Sequence, residues 1–143
     1  MSDNRVLYIE EAIFGAVKGL LTGRVNELLG GLQFTIPVIE LGNYRGTDVI
    51  VPAITLASCE RTEKERIILL DAYVVTITFR VSDTDDSDLF CYVYGAMIDR
   101  ALTENPTLGG VVDRARITGK KYNQANEVVI TLRITTEGFN YVS

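Results

Sequence analysis

"DAYVVTITFRV", residues 71–81, decides the fold. Tyr73, Val75, Ile77, Phe79 and Val81 alternate with Thr76, Thr78 and Arg80, and a period of two sends the two sets to opposite sides of a strand. One side is therefore buried and the other wet. "NEVVITLRITTE", residues 126–137, repeats the pattern: Val128, Ile130, Leu132 and Ile134 alternate with Val129, Thr131, Arg133 and Thr135. Two strands with one apolar face each call for a cover on that side alone, as helices provide in an α+β domain.

The cover is legible on either side of these strands. Between them, Asp86 to Thr103 carries Phe90, Val93, Tyr94, Met97, Ile98, Ala101 and Leu102 at helical spacing, and Asn105-Pro106 ends the run because proline disfavours a helical residue before it. Phe90, Tyr94, Met97 and Ile98 are expected to lie over the two apolar strand faces. Upstream, Tyr8 to Leu29 places Ile9, Ile13, Ala16, Val17, Leu20, Leu21, Leu28 and Leu29 three and four residues apart, with Glu10 and Glu11 near its start and Gly30-Gly31 after it. Gly15, Gly19 and Gly23 weaken this helix internally, and their four-residue spacing points to close packing on the sheet or on another subunit.

Between the first helix and the central strand, Phe34 to Leu41 contains Pro37 and reads as an edge or irregular strand. Val49 to Cys59 is a second strand candidate, with Pro52 near its start. Gly42 to Asp48 reads as a polar loop, and Glu60 to Arg66, with mixed charge, as a solvated turn or loop. After the second helix, Val111 to Tyr122 and Glu127 to Glu137 form a β-hairpin joined by Lys120 to Asn126. The expected order is α-β-β-β-α-β-β: an α+β domain, 1–143, with an antiparallel or mixed sheet and two helices on one face.

Chemistry is sparse in this sequence. It has no histidine and no tryptophan, so it lacks an imidazole base, a Ser-His or Cys-His nucleophile pair and the usual zinc ligands. Cys59 and Cys91, the two cysteines, lie in apolar contexts without metal-ligand spacing and read as buried thiols. "SDTDDSD", Ser82 to Asp88, reads as a helix cap, since it lacks the glycine and the downstream glutamate of a calcium loop. Asp113, Arg114 and Arg116 read either as solvated strand-edge charges or as a substrate clamp. No catalytic, cofactor or metal residue is assigned, and a non-enzymatic role is expected.

The net charge of -5, from 19 acidic and 14 basic residues, argues against dedicated or sequence-specific nucleic-acid binding. No apolar run reaches the length a bilayer demands, and the N-terminus lacks a basic region followed by an apolar one. A soluble chain, not exported and not membrane-bound, is expected.

"ALTENPTLGGVVDRARITGKKY", residues 101–122, followed by "NEVVITLRITTE", resembles the C-terminal half of tailed-phage tail-terminator (tail-completion) proteins. The shared wording is a helix that runs through Ala101-Leu102-Thr103-Glu104 into Asn105-Pro106-Thr107-Leu108-Gly109-Gly110 and on into paired strands. The order of elements agrees along most of the chain, and the wording over about its last 45 residues. The resemblance implies a phage or prophage structural protein that caps the tail tube as a ring, commonly a hexamer, stops tail growth and offers a head-tail joining surface. The implied partners are further copies of the chain, the tail-tube protein and a neck or head-connector protein, in the virion tail and, during assembly, the host cytoplasm. No cofactor is implied. Tyr44 and Arg45, in the Gly42 to Asp48 loop, and Asp83, Asp85 and Asp86, before the second helix, are the candidate contact residues. A head-completion protein, or a small histidine-free ligand-binding domain or enzyme, is the alternative.

Overall fold

In the computed structural model, residues 8–42, 49–63 and 68–139 are described. The chain forms α1 (Ile9–Leu20), a π-helical turn (Leu21–Val25) and α2 (Asn26–Gly30) as one continuous rod. Strands β1 (Val38–Ile39), β2 (Val49–Ile50), β3 (Ala53–Glu63) and β4 (Ile68–Arg80) follow, then α3 (Ser87–Glu104), β5 (Arg114–Asn123) and β6 (Glu127–Phe139). The main sheet is antiparallel in the order β3-β4-β6-β5, and β1 and β2 pair in parallel beside it. The α+β class and the two helical segments on one face are as expected.

Register accounts for the core. Tyr73 faces Ile134, Val75 faces Leu132, Ile77 faces Ile130 and Phe79 faces Val128, so the apolar sets of β4 and β6 share one side of the sheet. Tyr94 and Ile98 of α3 are fully buried against that side, with Phe90 and Met97 partly buried beside them. Tyr94 stacks on Phe79 at a centroid distance of 4.6 Å with the rings 2° from parallel, and its hydroxyl donates to the Pro37 carbonyl at 2.6 Å. Ile13, Val17, Leu20, Leu21, Val25, Leu28 and Leu29 complete the layer from the first rod. Around its π-helical turn, the Thr22 hydroxyl donates to the Lys18 carbonyl four residues back, a local bond that competes with the regular helical pattern.

Several details differ from the sequence expectation, among them the strand expected over Phe34 to Leu41, which is confined to β1, and the connector expected from Lys120, whose first part to Asn123 belongs to β5. The candidate strand Val49 to Cys59 is interrupted at Pro52, whose missing N–H separates β2 from β3. Glu60 to Glu63, expected in a solvated turn, continue β3 in register with β4, because Arg61 lies directly opposite Asp71 and pairs with it; the rest of that expected turn, residues 64–66, lies outside the described residues. Cys91 is buried as expected, but Cys59 is exposed, since β3 is an edge strand beyond the cover of the helices. Gly15, Gly19 and Gly23 are exposed, and a Cβ at any of them would meet nothing within 4 Å, so no close packing onto the sheet requires them.

The crossover after α3 is tightly specified. Leu108, Gly109 and Gly110 have φ of 51°, 73° and 89°, a left-handed run that the two glycines adopt freely and that Leu108 tolerates while buried against the core. The Asn105 side-chain oxygen accepts the Gly109 N–H at 2.9 Å and the Thr107 hydroxyl accepts the Gly110 N–H at 3.1 Å. Ala115 N–H then donates to the Pro106 carbonyl and Asp113 N–H to the Thr135 carbonyl, which returns the chain to the sheet as β5.

Candidate interaction surface

Both helical segments cover the same side of the sheet, and no described element covers the other. The alternation that buries Tyr73, Val75, Ile77 and Phe79 leaves Val74, Thr76 and Thr78 on this outer face, with Val129, Thr131, Arg133 and Thr135 of β6. From β5 come Arg114, Arg116 and, beyond a bulge between Ile117 and Gly119, Lys121. Arg116 stands directly opposite Arg133 and Arg114 opposite Thr135. The face is rich in threonine and basic along one side.

The connection from β4 to α3 carries the acidic segment. Asp83, Asp85 and Asp86 are exposed, as is Asp88 in the first turn of α3, and none of the four carboxylates has a hydrogen-bond or ion-pair partner among the described residues. The aspartates do not cap the helix as expected. Asp86 occupies the N-cap position with φ -101° and ψ 8°, away from the extended geometry that turns a cap side chain onto the free amides. Thr84 and Ser87 bind the turn instead: the Thr84 hydroxyl accepts the Asp86 N–H, and the Ser87 hydroxyl bonds both backbone groups of Thr84. Tyr44 and Arg45 lie outside the described residues. Ser82 and Thr84 line a cleft of about 390 Å³ with Pro37, Val49, Ile50 and Phe90, so the acidic connection borders the strand that follows residues 43–48.

Asp113, Arg114 and Arg116 line a second open cleft of about 390 Å³, with Asp99, Thr103 and Pro106 from the end of α3. All of its charged groups are exposed, so it holds no desolvated acid or base. Among the described residues no three His, Cys, Asp or Glu side chains converge as a metal site requires, and no helix is long and apolar enough to cross a membrane.

Titration is perturbed at structural positions. Asp71 accepts two bonds from the Arg61 guanidinium, at 2.6 and 2.8 Å, which hold its carboxyl below the usual range. Burial, with bonds to Cys59 and Glu10, raises the Tyr73 phenol, and burial raises the Cys91 thiol. A carboxyl whose pKa is depressed on folding adds stability above its unfolded value, near 3.9, and loses it as pH falls through the folded value. Urea midpoints are therefore expected to fall between pH 5 and pH 2.5, and Asp71→Asn to flatten that fall while lowering the midpoint at pH 7. An unchanged pH slope in the variant would remove Asp71 from the acid response.

The register that sets Arg116 against Arg133 has no local signature, because each arginine alone reads as an ordinary solvated residue of an alternating strand. Only pairing β5 with β6 brings them together. No protein-family model matches this chain, and no curated protein sequence matches it.

Proposed function

We propose that the chain is a structural component of a phage or prophage tail that assembles as a ring on the last layer of the tail tube, ends tube growth and presents a joining surface to a neck or head-connector protein. The Asn105-Pro106-Thr107-Leu108-Gly109-Gly110 segment and the strand pair after it motivate the assignment through their resemblance to tail terminators. The observation that carries it is the two-layer subunit with one sheet face that no described element covers: a ring subunit needs two different surfaces that meet around a closed rotation, and it needs no catalytic group. This role places the protein in the virion tail, and in the host cytoplasm before assembly.

Deleting the chain from the particle-producing genome that encodes it, and measuring tails by negative-stain electron microscopy, tests the reading. Tubes of uncontrolled length without joined heads are expected, with length control restored by supplying the protein. Tails of normal length that merely lack heads would support a head-completion protein instead. Particles unaffected in both respects would leave a ligand-binding or enzymatic role in front.

A further inference from the structure

We infer that the outer sheet face seats a second copy of this chain, which enters with its Asp83–Asp88 segment against Arg114, Arg116 and Arg133. The inference rests on the ring reading and names the two surfaces through which such a ring closes.

Three observations carry it. Arg116 and Arg133 are direct cross-strand partners on an exposed face, an arrangement in which like charges repel across a Cβ separation of about 5 Å. Arg24, Arg61, Arg80 and Arg100 each have a carboxylate within ion-pair distance, whereas Arg114, Arg116 and Arg133 have none among the described residues. The isolated subunit thus keeps a basic cluster whose repulsion an incoming acidic group relieves.

The complementary group lies on the same chain. Asp83, Asp85, Asp86 and Asp88 are exposed and have no hydrogen-bond or ion-pair partner among the described residues, in a chain whose net charge is -5. They cannot reach the cluster within one subunit. The acidic segment leaves the sheet at Val81, where the Val81 N–H donates to the Asn126 carbonyl, while Arg133 pairs with Val74, seven residues back along β4. At about 3.3 Å per residue that is roughly 23 Å, against the 4 Å an ion pair allows. Two separate, complementary surfaces on one chain suit a head-to-tail contact, which closes into a ring where its rotation between subunits closes. Four strands about 4.8 Å apart, with a threonine-rich outer face, give that contact a platform of the same order as the roughly 800 Å² a specific interface buries per partner. At 0.15 M salt the Debye length of about 8 Å suppresses long-range repulsion between acidic subunits, while contact pairs persist.

Sedimentation over a concentration series at fixed salt tests the contact by charge exchange. Wild type is expected to associate beyond a dimer as concentration rises. Arg116→Glu/Arg133→Glu and Asp85→Lys/Asp86→Lys are each expected to weaken association at least tenfold, and their equimolar mixture to restore it, because each reversed surface meets its reversed counterpart. Arg116→Gln/Arg133→Gln, which removes charge with less change to the strand, is expected to weaken association without being rescued in the mixture. Circular dichroism checks that each variant is folded. Variants that associate like wild type, or a reversed mixture no stronger than its components, would overturn this interface and leave the ring reading standing. A wild type that stays monomeric throughout overturns the contact, and tail length then decides the ring reading separately. Duplex DNA binding lost in Arg116→Glu/Arg133→Glu, with self-association unchanged, would assign the face to phosphate and likewise overturn it.

Discussion

Tyr94→Ala is expected to lower the unfolding free energy by about 3–5 kcal/mol, the range for removing a large buried aromatic. Tyr94 is fully buried, stacks in parallel on Phe79 and ties α3 to Pro37, just before β1, through its hydroxyl. Its loss opens a cavity between the helical layer and the sheet and frees an acceptor at the same time. Against a total of about 5–15 kcal/mol for a natural domain, that is a large share, and at about 2–4 °C per kcal/mol it lowers the melting temperature by roughly 10–15 °C. Tyr94→Phe separates the two contributions. The ring and its stacking remain, and only the bond to the half-buried Pro37 carbonyl is lost, at about 1 kcal/mol. Urea unfolding of the three proteins measures both steps, and a Tyr94→Ala cost below about 1 kcal/mol would show that α3 does not clamp the sheet through this ring.

That dominance of one aromatic pair was half legible in the sequence. Phe79 follows from strict alternation and Tyr94 from helical spacing, so periodicity alone assigns both to the core, and the two long strands and α3 follow in the same way. The elements that resisted are those in which periodicity has no room to act. β1 and β2 have two residues each, too few for a period of two to register, and their parallel pairing depends on contacts made elsewhere. Glu60 to Glu63 look like a solvated turn because on an edge strand charged side chains protect an open ladder, and only the facing Asp71 shows that Arg61 belongs to a strand. The candidate surface divides similarly: Asp83, Asp85 and Asp86 stand out as a cluster in the sequence, whereas the arginines opposite one another are seventeen residues apart and meet only through the hairpin's register.

Asn26 carries the other large expected effect, and nothing in its sequence context announces it. Its side-chain amide binds both backbone groups of Ile39: Nδ2 donates to the carbonyl at 2.8 Å and Oδ1 accepts the N–H at 2.8 Å. A helix residue thereby acts as a ladder partner for β1 on the side away from β2, at a position where Ile39 is fully buried. β1 and β2 flank residues 43–48, so this clasp fixes the strand pair from which the segment carrying Tyr44 and Arg45 departs and returns. Asn26→Ala leaves two backbone groups of a buried residue unpaired, and at about 1–3 kcal/mol for each the expected loss is about 2–6 kcal/mol. Asn26→Asp gives a sharper test, because it keeps the acceptor for the Ile39 N–H but turns an ionised oxygen toward the Ile39 carbonyl. The neutral acid can donate there, so its folded pKa lies above the unfolded value, and the variant is expected to gain stability relative to wild type as pH falls through that folded value. Hydrogen exchange at the Ile39 amide reads the clasp directly. Protection is expected to fall by roughly 30-fold or more in Asn26→Ala, since each 1.4 kcal/mol is about a factor of ten, and to stay near the wild-type level in Asn26→Asp at low pH. Unchanged protection in Asn26→Ala would mean that pairing with β2 alone holds β1 in place.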